Sequence, residues 1–425
     1  MPAIGGRSVV NNSAATGGPT PAGGLGLVMR FAPEAKGEGI RHFERSGLKV
    51  ARSSDFRNAT SVPNDFNGAD VQYFERFGIA IIRRDPERAR PALARAAEQN
   101  IVTAARSERL YRALGDRDAV SPLVNPFLPD PSAAGGGTAP FDEVSCTWGL
   151  QAAKVDVSSL SGAGIKVAIL DTGFDDRHPD FHGRTVTQKL FATNSTPNDT
   201  VGHGTHCTGT ACGPLHPVQG PRFGVAYDAQ IYAGKILGDD RFGTDRSVIA
   251  GMDWALDQGC HIISMSIGVA TKLGDSPIPD YEQIGKVCLD AGTLVVAAAG
   301  NESKRPGLIE PIDSPANAST IMAVAAIDRT MQVASFSCGG LNPSQEVDIA
   351  GPGVDILSTL PGGGYARMDG TSMATPHVAG IAALIAQSDA QYRGRALWAR
   401  LLEIAQPLGL LAQDVGKGLV QAPPK

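Results

Sequence analysis

The sequence predicts an α/β protein: a large three-layer αβα domain with a mostly parallel sheet, preceded by a small α+β domain. Three observations predict it. From about Phe141 the chain carries near-continuous apolar runs, at Lys166–Leu170, Ile231–Leu237, Ile262–Ile267, Leu294–Ala299 and Ile321–Ala326, as strands buried on both faces do. Helical patterns such as Ser247–Asp257 and Tyr281–Ala291 lie between several of them, and strand alternating with helix implies a parallel sheet covered on both sides. Upstream, a shorter series of runs ends at a stretch, residues 120–140, with five prolines and three successive glycines, which reads as a linker.

Taken in order, residues 1–24 are rich in Gly, Ala, Pro and Ser and read as a disordered tail. Leu27–Ala32 is a run of strand length. Glu34–Ser46 reads as a helix weakened by Gly37 and Gly39, and Leu48–Ser53 as a second strand. A polar stretch, Asp55–Asp70, precedes a third strand within Gln72–Arg84, clearest at Gly78–Ile82. Pro86 opens a helix with Ala89, Leu93, Ala96 and Ala97 on one face, proline in its first turn, and Ile101–Ala105 is the last strand. The order β-α-β-β-α-β is the ferredoxin-like, split βαβ layout, which by itself names no function. The division is therefore a tail (1–24), a small α+β domain (25–115), a linker (116–140) and the large domain (141–425).

Composition narrows the class. At 425 residues, 42% apolar and 19% charged, the chain can bury a substantial core. A net charge of −5 gives no electrostatic reason to expect nucleic acid or an anionic membrane as partner. No apolar run approaches the length of a membrane span, and a monomer is the expected state. The opening residues lack the apolar segment of a secretory signal, so the cytoplasm is the default expectation, with export by another route left open. The six cysteines are sparse, with no CxxC pair, and free thiols are expected.

Three stretches lie where an α/β sheet gathers its functional groups, beyond the carboxyl ends of strands. Asp171 ends the run KVAIL. His203 lies in VGHGTHCTGT. Ser372 lies in GTSMATPHVAG, at the start of a helix of small residues. A serine is a poor nucleophile until a base takes its proton, and the base needs a partner that fixes its tautomer. Asp171, His203 and Ser372 supply those roles in the chain order Asp, His, Ser. A zinc site built from His203, His206, Cys207 and Cys212 is the competing reading; it lacks a further ligand and would use a histidine that the triad already needs.

The motifs carry a resemblance. AILDTGFDDRHPD, HGTHCTGT and GTSMATPHVAG resemble the aspartate, histidine and serine motifs of the subtilisin-like serine proteases, over roughly Trp148 to the end. The resemblance implies a subtilisin-like fold and a serine endopeptidase. It places an oxyanion-hole donor at Asn301 in AAAGNE. Ser266, Ile267 and Gly268 in SMSIG, with Ala298, Ala299 and Gly300, become the walls of the primary specificity pocket, with Glu302 at the rim. Gly243-Thr244-Asp245 becomes the edge strand that pairs with substrate. Cys207 resembles the free active-site thiol of the proteinase K and thermitase branches. The small N-terminal domain resembles the family's propeptide, an intramolecular inhibitor and folding chaperone that presents the segment from Ile101 to about Leu114 to the active site of a self-processing zymogen. No cofactor is required. Calcium is implied only as a structural ion: Asp180 matches a ligand position, while the companion loop, GPLHPVQGPR, has no side-chain ligand except Gln219. A processing peptidase or a transpeptidase of the same fold stands as the alternative. An inactive binding module is disfavoured by the intact Asp171, His203, Ser372 and Asn301.

Overall fold

The computed structural model describes residues 25–57, 59, 68–83, 86–115, 127, 141–193 and 195–423. The tail and all but Phe127 of residues 116–140 lie outside the described residues.

The N-terminal unit runs β1 (Leu27–Phe31), α1 (Lys36–Arg45), β2 (Val50–Arg52), β3 (Val71–Phe74), β4 (Ile79–Ile82), α2 (Pro86–Glu98) and β5 (Val102–Ser107). Its sheet has the order β2-β3-β4-β1-β5. The third strand expected within Gln72–Arg84, clearest at Gly78–Ile82, is β4, and a further strand, β3, precedes it: the chain turns at Glu75–Gly78 and β3 pairs antiparallel with β4, Val71 opposite Ile82. β3 has only four residues and includes Gln72, which is buried although polar. Two cores flank this sheet. Phe31, Phe43, Tyr73 and Ala96 pack beneath its helices, whereas Val28, Phe74, Ile79 and Ile81 belong to the larger core of the molecule.

β6 (Leu110–Ala113) leaves this unit. The large unit then runs α3 (Trp148–Ala152), β7 (Lys166–Asp171), β8 (Val186–Leu190), α4 (His203–Cys212), β9 (Gln230–Lys235), β10 (Phe242–Thr244), α5 (Asp245–Asp257), β11 (Ile262–Met265), β12 (Ile267–Gly268), α6 (Pro279–Asp290), β13 (Leu294–Ala298), β14 (Met322–Ile327), β15 (Ile349–Pro352), β16 (Ile356–Leu360), β17 (Gly364–Met368), α7 (Thr371–Ser388), α8 (Gly394–Ile404) and α9 (Ala412–Val415). The main sheet, β15-β14-β13-β11-β7-β9-β8, has parallel pairing at every junction. The sequence-predicted run Ile262–Ile267 spans two sheets, since β12 leaves the main sheet after Ser266 and joins β6 and β10 in an antiparallel three-stranded sheet. None of the helices among the described residues is long and apolar enough to cross a membrane.

The two units meet through charge as well as apolar packing. Asp245, the first residue of α5, is fully buried and was read from sequence as part of an edge strand. Its carboxylate accepts two bonds from Arg106 (2.8 and 3.0 Å), one from the Arg109 N–H (2.6 Å), and bonds from the Tyr111 and Tyr281 hydroxyls (3.2 and 3.0 Å). Burial alone would raise its pKa; Arg106 and these donors outweigh burial and lower it. Glu108 accepts from the Arg246 N–H (3.1 Å), a negative charge at the positive end of α5. Breaking a buried pair of this kind costs about 2–5 kcal/mol, mostly from the charge left unpaired, so these contacts fix the register in which the next segment crosses the large unit.

Candidate active site

Parallel topology brings the three stretches together. Asp171 ends β7, His203 begins α4 and Ser372 is the second residue of α7. The first turn of α4 can approach the loop after β7 because residue 204 is glycine; a methyl there would collide with the Gly173 carbonyl. Asp171 Oδ1 then accepts from His203 Nδ1 at 2.8 Å and from the Thr172 N–H at 2.6 Å. Burial works against the imidazolium, but the Asp171 carboxylate outweighs it and holds the His203 pKa well above its ordinary value. Ser372 is buried, and its hydroxyl donates to the Ser266 carbonyl at 3.1 Å rather than to His203. His203 Nε2 has no hydrogen-bond partner among the described residues.

β6 explains that arrangement. It lies between β10 and β12, with Tyr111 opposite Gly243, Arg112 opposite Gly268 and Ala113 opposite Ile267. Leu114 continues the strand, its N–H donating to the Ser266 carbonyl at 3.2 Å. Its carbonyl accepts from Asn301 Nδ2 at 3.0 Å. Asn301 is oriented from behind, because Oδ1 accepts from Thr371 N–H (2.9 Å) and Oγ1 (2.8 Å). Residue 370 must be small: a Cβ on Gly370, at φ 153°, would lie 2.8 Å from the Leu114 carbonyl oxygen. The next residue, Gly115, lies against the imidazole; a Cβ there would be 3.1 Å from His203 Nε2. The Leu114–Gly115 peptide bond thus has a hydrogen-bond donor on its carbonyl and an imidazole at its amide side. The segment expected to enter the site ran from Ile101; only Leu110–Gly115 does, because β5 remains in the N-terminal sheet.

Of the expected pocket residues, Ser266 accepts the Leu114 N–H, and a Cβ on Gly268 would lie 2.6 Å from Leu114 Cδ1. Ile267 pairs with Ala113, and Ala298, Ala299 and Gly300 lie buried at the end of β13. Gly243 pairs with Tyr111 as an edge strand should. Sequence reasoning missed Asp313, whose N–H donates to the Ala299 carbonyl at 2.8 Å and whose carboxyl borders the same pocket. The available signal was one of two acids, Glu310 and Asp313, each following an isoleucine in IEPIDSPA, too little to find it.

The two histidines of VGHGTHCTGT separate cleanly. His206 Nε2 faces the carbonyls of Ile356 (3.0 Å) and Ala366 (3.1 Å), and burial with His203 nearby pushes its pKa down to about 3. The four residues of the competing zinc reading do not converge; Asp171, His203 and Cys207 do, around the Asp171–His203 hydrogen bond. Asp180 is buried, with its carboxylate accepting from the Val218 N–H (2.6 Å) and the Tyr365 hydroxyl (3.0 Å). Two donors therefore cap the Asp180 carboxylate, one on each oxygen. All six cysteines are free and buried.

A family model described as the subtilase family matches residues 162–418. The chain belongs to the subtilase family. It is similar to subtilisin BL of Lederbergia lenta, 38% identical over 281 residues, 65% of this chain and 97% of that protein. It is also similar to the major intracellular serine protease of Bacillus subtilis (strain 168), 34% identical over 64% of this chain and 85% of that protein, and to an alkaline protease of Alkalihalobacillus alcalophilus, 38% identical over 65% of this chain and 69% of that protein. This subtilase is a serine-type endopeptidase that acts on polypeptides.

Cys207 sits one helical turn after His203, its sulfur 3.9 Å from Nδ1 and 3.5 Å from the Ser372 carbonyl oxygen. Burial pushes the thiol pKa up, so it is a neutral neighbour and not a nucleophile. Mercury reagents are expected to inhibit by displacing the imidazole. Cys207→Ala retains most peptidase activity and loses mercury sensitivity, read as residual rate at saturating reagent. Unchanged inhibition of that variant would rule out this site of action.

Proposed function

We propose that this subtilase is made as a self-processing zymogen, with residues 25–114 as its intramolecular inhibitor and Leu114–Gly115 as the bond it cuts in itself. The observation that carries the reading is the convergence on one peptide bond: Asn301 Nδ2 lies 3.0 Å from the Leu114 carbonyl oxygen while Gly115 rests on His203. Ser372 Oγ attacks the Leu114 carbonyl carbon as His203 Nε2 takes the hydroxyl proton. Asp171 holds Nδ1–H and stabilises the imidazolium. Asn301 donates to the developing oxyanion. Collapse breaks the C–N bond, and the imidazolium gives its proton to the departing Gly115 amine. Water, deprotonated by His203, then hydrolyses the Ser372 ester and leaves a carboxylate on Leu114. Nucleophile, base and oxyanion donor are all protein groups, so the chemistry needs no cofactor. The same apparatus in the processed enzyme acts on other chains, which enter as a third strand between β10 and β12. That mode reads backbone more than sequence.

Acylation tests this with its pH dependence. The base works only when neutral, and the His203 pKa is raised, so reactivity is present above that raised pKa and disappears as pH falls through it. A fluorophosphonate should label Ser372 in the processed enzyme, faster with rising pH and levelling off on the alkaline side. Absence of label at every pH, or labelling of another residue, refutes the assignment.

A further inference from the structure

We propose that Asp313 makes the primary specificity pocket selective for lysine or arginine on the acyl side of the cut bond. This rests on reading Leu114 as the residue that occupies that pocket. A Cβ built on Gly268 would lie 2.6 Å from Leu114 Cδ1 and 2.5 Å from Asp313 Oδ2, so one missing methyl separates the leucine tip from the acid. Asp313 is 1% exposed, no N–H donor among the described residues reaches either carboxyl oxygen, and the Glu302 carboxyl acts on it as a side-chain hydrogen-bond partner, another acid and not a cation. A buried acid without N–H donors is unfavourable unless something else in the reaction cycle supplies them. Leucine ends short of doing so. Lysine and arginine carry their donors two or three bonds further, and glycine at 268 and 300 keeps the approach to the acid clear of side chains, since a Cβ would lie 2.5 Å from Asp313 Oδ2 at the first and 2.9 Å from Asp313 Cγ at the second.

The surrounding charge points the same way. Burial, with Glu302 and Glu310 nearby, pushes the Asp313 pKa well above its ordinary value, against the pull of Arg112. Glu302, at the rim, already holds a cation: it pairs with the Arg112 guanidinium. Cys338 closes the cluster, its ligating atom and those of Glu302 and Asp313 all lying within 4.8 Å of one another. Arg112 belongs to the segment that fills the cleft. When that segment leaves, the pocket loses its cation and keeps both acids. A basic substrate side chain then restores the charge, with Asp313 ionised at the base and Glu302 at the mouth.

The test uses the full chain after it has matured, on peptide anilides of the form acetyl-Tyr-Val-Ala-Xaa, with tyrosine placed as Tyr111 is. The arginine substrate is expected to exceed the leucine substrate in kcat/KM by about tenfold or more, and Asp313→Asn to lower that ratio by about 100-fold. Benzamidine, a small arginine mimic, should inhibit leucine-substrate hydrolysis by the wild type and not by Asp313→Asn. Preference of the wild type for leucine together with indifference to benzamidine overturns the proposal, and needs no variant to fold. If the fluorophosphonate labels Ser372 in that case, only the role of Asp313 has failed; if no label and no hydrolysis are seen, the zymogen reading beneath it has failed.

Discussion

Ser372→Ala should leave the purified protein as one uncut chain with hydrolysis reduced by about 10⁶, a magnitude known from subtilisin itself and taken over here. The loss is large because the rest of the apparatus has nothing to act on. Without the hydroxyl no acyl-enzyme forms, so His203 has no serine proton to take and Asn301 no serine adduct to stabilise. Stability should change little. The hydroxyl makes one bond, to the Ser266 carbonyl at 3.1 Å, and its removal costs about 0.5–1.5 kcal/mol. Ser372 also lies in α7 among Thr371, Met373 and Ala374, where alanine is a good helix former. The measurement is the intact mass of the variant from a protease-free host, beside its thermal melt. A variant still cut after Leu114 would show that another enzyme makes the cut.

Asn301→Ala should lower kcat by about 10²–10³ with a smaller change in KM, again a magnitude known from subtilisin. The ground-state carbonyl of Leu114 already accepts from Nδ2 at 3.0 Å, but the bond strengthens as negative charge develops on that oxygen, so its loss falls mainly on turnover. The same variant should slow its own processing in parallel. Turnover within about threefold of wild type would remove Asn301 from the oxyanion hole. Thr371 serves as an internal check. It donates to Asn301 Oδ1 from both N–H and hydroxyl, so Thr371→Val should give a smaller loss through misorientation of the same amide.

Much of this architecture is local in origin, and that part was legible. The runs at β7, β11, β13 and β14 are apolar throughout because both faces of the sheet are covered, and each was found within two residues of its observed bounds, except where Ile262–Ile267 divides between sheets. The edge strand β8 and the hairpin β16–β17 were missed: β8 is half-exposed and polar, and the hairpin is a local excursion with Gly362 and Gly363 in its turn. β3 escaped the reading beside β4 because it is four residues long and Gln72 interrupts its apolar pattern.

The sequence by itself determined the fold class and singled out the residues proposed as acid, base and nucleophile, because each lies in a short motif whose local geometry, a strand end or a helix start, is encoded within a few positions. Tertiary structure alone decided what those residues face. Leu110–Leu114 is unremarkable in composition, and it becomes the third strand of the cleft because Arg106 and Tyr111 bind Asp245, more than 130 positions away. The orientation of Asn301 depends on Thr371, and the position of Asp313 beside Leu114 depends on the approach of two distant chain segments to Gly268. Such contacts join residues far apart in the chain, and neither spacing nor periodicity records them. They follow from packing, where the shape of one buried surface is set by all of its neighbours at once.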